Sequence, residues 1–150
     1  MEDCGDNLRL ARAFLARASL DLKDAGILSE HKDYSMAAYF AQQAAEKSVK
    51  ALPILNNRFE RTHYVSRLLS ELAKELEGPW GARMGALVPD LDDLEESATA
   101  TRYPEPKAGG VWNPVEEYTE KDASDAEAKA KKICGEIAGY LKERYGVSAD

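Results

Sequence analysis

The chain has 150 residues, 44% of them hydrophobic and 31% charged, with a formal net charge of −7 at pH 7. That is about one domain's length, with the composition of a folded globular protein rather than a disordered one. No apolar run reaches the roughly 18 residues of a membrane span. The acidic balance argues against a surface that binds nucleic acid all over, which needs many Lys and Arg to displace counterions.

A single domain over residues 1–150 is expected, with its core at about 7–145. The polar N-terminus reads as no signal peptide, so a cytoplasmic protein is expected. Cys4 and Cys134 lie far apart without Cys-x-x-Cys spacing, which predicts two ordinary thiols and no metal site or cofactor.

The first helical stretch carries Leu8, Ala11, Leu15, Ala18, Leu22 and Ala25 at three- and four-residue spacing, a narrow apolar seam. Asp6 or Asn7 suits its cap, and Gly26 with Ser29-Glu30-His31-Lys32 is expected to end it. Asp33 then caps a second helix running to about Leu52 or Leu55, with Ala37, Phe40 or Ala41, Ala44, Ser48 and Ala51 as its seam. Those alanines permit close approach, so this is expected to be the central helix. Pro53 should kink or end it.

Residues 56–61 form a connector, and Thr62 is the expected cap of a third helix. That helix turns Val65, Leu68, Leu69, Leu72 and Leu76 inward and stops at Gly78-Pro79. A fourth begins near Trp80, is broken or bent at Pro89 and restarts with Asp90 as cap, with Leu87, Leu91, Leu94 and Ala98 as its apolar side. From Arg102 to Thr119 the chain is rich in Pro and Gly and reads as a long structureless segment, the kind that is usually functional. Its Trp112 and Tyr118 either cover a site, serve an interface or tether the loop. The last helix is expected over Glu120–Arg144, packing through Ala126, Ala130, Ile133, Ile137, Tyr140 and Leu141. Nothing reads as strand. The fold class is therefore all-α, an up-and-down bundle of four to five helices.

Three groups carry chemistry. Gln43, Glu46 and Lys50 share one face of the second helix, with Lys47 beside them. They form either a solvated face with a surface Glu46–Lys50 pair or the wall of a polar cleft. His63 lies in Arg58-Phe-Glu-Arg-Thr-His63, an Arg-x4-His spacing. Such a pair can cleave RNA without a metal, the histidine as general base or acid and the arginine holding the phosphate. Arg102-Tyr103-Pro104 ends the fourth helix, and Arg102 suits a phosphate or carboxylate clamp. Asp21 on the first helix is either an ordinary surface acid or one that pairs with Arg102 or Lys47.

Tyr39-Phe-Ala-Gln-Gln-Ala-Ala-Glu-Lys-Ser-Val-Lys50, Thr62-His63 and Arg102-Tyr103-Pro104, in this order, resemble the HEPN domain (higher eukaryotes and prokaryotes nucleotide-binding) of the small stand-alone prokaryotic type. The likeness covers about Leu8 to Tyr145. It implies a homodimeric binding module whose cleft engages nucleotide, RNA or a minimal nucleotidyltransferase partner, as in toxin–antitoxin systems. Arg102 and Tyr103 then stand at the cleft mouth beside Gln43, Glu46, Lys47 and Lys50, with Asp21 holding the cleft together. It also admits a metal-independent ribonuclease toxin, using His63 with Arg58 or with Arg102. The catalytic motif of such toxins sits later in the domain, whereas this chain has no histidine after His63. Thr62-His63 instead matches the Gly/Thr-His that opens the third helix in the non-toxin branch. A third alternative is a structural adaptor without a ligand. The apolar seams suit a dimer interface or an internal core equally.

Overall fold

A computed structural model describes residues 4–149 of the chain, and the side chain of Cys4 lies outside what is described. The order of elements is α1 (Cys4–Glu30), α2 (Tyr34–Ile54), α3 (Val65–Ala73), α4 (Pro79–Gly85), α5 (Val88–Arg102), β1 (Glu105–Lys107), β2 (Gly110–Trp112), α6 (Pro114–Glu117) and α7 (Glu120–Tyr145). The protein is a helical bundle. Helices α1, α2, α5 and α7 form its body, and α2 packs against the other three.

The alanines explain why α2 is enclosed. Ala37, Ala41, Ala44, Ala45 and Ala51 are all 0% exposed, so neighbouring backbones approach closely on several sides. Asp33 caps this helix as expected, its Oδ1 accepting from the Met36 N–H at 3.3 Å. Pro53 lies in the last turn, where the helix is already ending. The seam of α1 (Ala11, Leu15, Ala18, Ala25) is buried within the chain, which makes it internal core. Among the described residues no helix is long and apolar enough to cross a membrane.

Several boundaries differ from the expectation. Helix α1 runs through Gly26 to Glu30, because one glycine weakens a helix interior without breaking it and Ala25 still packs inside. The reversal comes at Lys32, whose φ of 63° is left-handed. Thr62 does not cap α3. Its Oγ1 accepts from Tyr64 N–H, and α3 starts only at Val65. The cap comes from α5 instead: Glu95 accepts from the Ser66 N–H at 2.7 Å and from Ser66 Oγ at 2.6 Å. A carboxylate there also suits the positive end of the helix dipole.

The break between α4 and α5 falls at Ala86–Leu87 rather than at Pro89. Pro89 occupies the first turn of α5, where a missing N–H leaves no bond unmade. Residues 105–112 form an antiparallel hairpin, pairing Glu105 with Trp112 and Lys107 with Gly110 around a turn at Gly109 (φ 79°), so the segment expected to be structureless is largely ordered. Trp112 Nε1 donates to the Ala100 carbonyl at 2.8 Å and the Tyr118 hydroxyl to that of Ser97 at 3.3 Å. Both rings therefore tether the loop to α5. Helix α7 opens on a capping box between Thr119 and Asp122 and closes at Gly146 (φ 68°).

Replacing Glu95 by Ala should remove both bonds to Ser66 and leave the start of α3 uncapped. We expect a loss of about 1–2 kcal/mol in chemical denaturation, the range for a lost cap. An unchanged midpoint would show that α3 does not depend on α5 for its cap.

Candidate functional site

Helix α2 carries its polar residues on two adjoining stripes, and each faces something different. Gln43 and Lys47 turn toward α1. There Asp21, 1% exposed, receives Lys47 Nζ at 2.6 Å on Oδ2. Arg17 Nη2 lies 2.9 Å from Oδ1 but off the direction of a hydrogen bond, so that oxygen gains charge neutralisation without an aligned donor. Lys47 also donates to Gln43 Oε1 at 3.1 Å, and Gln43 Nε2 donates to Gln42 Oε1 at 2.7 Å. Lys47 on α2 thus ties this buried carboxylate of α1 to the second helix, while Arg17 neutralises it from α1 itself.

Tyr39, Gln42 and Glu46 form the second stripe, which together with the flank of Gln43 lines a cleft of about 280 Å³. The connector before α3 supplies His63 and Tyr64, and α5 supplies Glu95, Ala98, Thr99 and Arg102. Glu46 is 4% exposed, yet both its oxygens are engaged. Oε1 lies 3.2 Å from His63 Nδ1 and Oε2 lies 4.0 Å from Lys50 Nζ. Facing a carboxylate, Nδ1 carries the ring proton, and Nε2 is left as the outward nitrogen. The His63 side chain is 81% exposed, so that nitrogen can meet a ligand. The Arg102 guanidinium lies 5.0 Å from the Tyr39 ring centroid and 5.4 Å from that of Tyr103. It has no carboxylate partner among the described residues.

The cleft thus gathers Gln43, Glu46, His63 and Arg102, with Lys50 behind Glu46. Asp21 and Lys47 support its wall from the α1 side, and Asp21 pairs with Lys47 rather than with Arg102. The Glu46–Lys50 pair is not a solvated surface pair, because the elements packed around α2 largely bury both side chains. Tyr103 is exposed and stacks on Arg102 outside the cleft. Arg58 is engaged elsewhere, 3.2 Å from Glu75, and lines a different groove with Asn7, Leu10 and Phe59. Gln42, Tyr39 and Glu95 were not singled out in the sequence. The spacing 39–42–46 was the available signal for the first two, since it traces one helix face with Glu46.

Beneath the polar row Ser48 Oγ lies 3.2 Å from Cys134 Sγ. Burial pushes the Cys134 thiol above its ordinary range, and the nearby Asp21 charge adds to this, while the Ser48 hydrogen bond opposes it. Among the described residues no three of His, Cys, Asp or Glu gather to hold a metal ion.

Comparison with known proteins gives a consistent result. The family model described as HEPN domain matches residues 11–140. A Methanocaldococcus jannaschii protein named "Putative toxin MJ1304" is 40% identical over 149 residues, spanning 98% of each chain. Among solved structures, TT1696 from Thermus thermophilus superposes with a TM-score of 0.73 at 29% identity, over 87% of this chain and 98% of that one. ST0689, described as an archaeal HEPN homologue, superposes with a TM-score of 0.62 at 28% identity, over 95% of this chain and all of the other.

The raised thiol gives a direct check on how enclosed the polar row is. Because the thiolate is the reactive form, Cys134 should be alkylated by iodoacetamide at pH 7.5 at least tenfold more slowly than in the unfolded chain, as followed by peptide mapping. Equal rates would mean that this side of the bundle opens freely.

Proposed function

This chain belongs to the HEPN family, and we propose that it is a binding module whose cleft between α2, α5 and the His63 connector engages a phosphate of a nucleotide or RNA. The observation that carries this reading is Arg102, a guanidinium at the cleft without a carboxylate partner among the described residues, stacked on Tyr39. A fork of donors in that setting suits a phosphate, and an aromatic face beside it suits a base. The chain's charge of −7 confines such binding to this locality, so few phosphates are neutralised. The family resemblance adds a minimal nucleotidyltransferase as the partner in whose company the module works.

A second reading has its own support. His63 and Arg102 share the cleft, and Glu46 orients the imidazole with Nε2 outward, an arrangement fit for general acid–base work on RNA. The 40% identical relative carries the name "Putative toxin MJ1304", and a toxin role is compatible with such chemistry. In that case the reacting pair is His63 with Arg102, and Arg58 stays with Glu75.

Two measurements test these readings. Arg102→Ala should weaken binding of a labelled single-stranded RNA roughly ten- to hundredfold, the loss of one charge-assisted hydrogen-bonding group. It should also flatten the log–log salt dependence by about 0.7, one phosphate's worth on a single strand. Unchanged affinity and slope would remove Arg102 from the site. Incubating RNA with the protein, with and without EDTA, separates module from ribonuclease. Cleavage that persists in EDTA and disappears in His63→Ala establishes the enzyme, whereas intact RNA in both leaves the binding module.

A further inference from the structure

Gln42 is 3% exposed and lines the cleft, yet its amide nitrogen has no partner among the described residues. Its orientation follows from a chain of donors and acceptors that starts at a charge. Lys47 is an ammonium and can only donate, so the end of Gln43 facing it, 3.1 Å away, must be the carbonyl oxygen. The amino group of Gln43 is then turned toward Gln42, and at 2.7 Å it can meet only an acceptor. Gln42 must therefore spend its carbonyl on Gln43 and keep its two N–H groups unused. Asp21 anchors the series by holding Lys47 Nζ at 2.6 Å in a place that water hardly reaches.

The nitrogen reaches the open cleft rather than lying sealed among the buried unpaired atoms, so its two N–H groups are donors available to a ligand. No hydrogen bond joins this nitrogen to Glu46, whose Oε1 lies 3.2 Å from His63 Nδ1 and whose Oε2 lies 4.0 Å from Lys50 Nζ. We infer that Gln42 Nε2 is a ligand contact that works with Arg102 on acceptor oxygens of the bound group, and that Asp21, Lys47 and Gln43 are positioning residues that set its polarity. The inference rests on the phosphate-binding reading above and goes further. It makes the sign of the cleft a property of α1, through a carboxylate that never touches the ligand. A group with only acceptors, such as a phosphate, fits both donors, whereas an ammonium fits neither.

The test measures affinity for a labelled single-stranded RNA, for a nucleoside monophosphate and for inorganic phosphate, together with thermal unfolding, in four proteins. Gln42→Glu keeps the shape and replaces the amino group by an acceptor; it should bind at least tenfold more weakly in protein that still unfolds cooperatively. Lys47→Met removes the donor that sets the series and should lose severalfold in affinity. Lys47→Arg, also a pure donor, should restore most of it, which a merely structural role for the lysine would not require. The side-chain NH2 resonances of Gln42 should shift when phosphate is added to the wild-type protein, an arm independent of any unfolding by Lys47→Met. A wild-type protein that binds none of the three probes overturns the phosphate reading and this inference with it. Binding in Gln42→Glu equal to wild type, or a silent Gln42 amide, overturns this inference alone.

Discussion

A helix surrounded by other helices cannot leave its charges to water, and α2 is such a helix. Its alanines let α1, α5 and α7 close around it, and the closure catches Gln42, Glu46 and Ser48 inside. Each caught group then needs a partner within the chain. Asp21 supplies one through Lys47, His63 Nδ1 meets one oxygen of Glu46 while Lys50 lies near the other, and Cys134 meets Ser48. The polar row is thus a consequence of tight packing as much as a functional device, and the same small residues produce both.

The parts that hold the bundle together also shape the cleft. Glu95 caps α3 from α5, which fixes the distance between the His63 connector and the end of α5 that bears Arg102. Trp112 and Tyr118 tether the hairpin segment to α5 through two backbone carbonyls. That leaves the loop beside the cleft and not over it, so the loop's length serves to anchor the C-terminal half of α5. Breaking either attachment acts on the site through geometry rather than through contact with a ligand.

The helices were largely legible from the apolar spacing, because burial on one face imposes a period of about 3.6 residues whatever the neighbours are. Local punctuation was less informative. Gly26 looked like part of a helix end, yet α1 runs past it and ends at Glu30 within the polar Ser29-Glu30-His31-Lys32 run, since one glycine's cost is modest. Thr62 looked like a cap, but a carboxylate twenty-nine residues past Ser66 took that role. The Arg58–His63 spacing is close in sequence, while in the fold the two side chains engage Glu75 and Glu46. Gln43 was singled out as facing the site, yet its amide is spent on Lys47 and Gln42. Gln42 next to it turns its amino group to the cleft instead, because one residue rotates the helix face by about 100°.

The amino-acid sequence by itself determined the helical class, the centrality of α2, the absence of a membrane-length apolar run and the residues Glu46, His63 and Arg102 as the ones to watch. Composition and period, which are local and additive, supplied the class and the central helix, whereas His63 and Arg102 came from short motifs and the family resemblance they carry. Only the tertiary structure decided that Arg102 joins His63 while Arg58 does not, that Asp21 takes Lys47, and that Gln42 turns a free amide toward the cleft. Pairings of this kind depend on which helix faces meet across the bundle, and on donors and acceptors excluding one another in sequence, neither of which a spacing along one chain records.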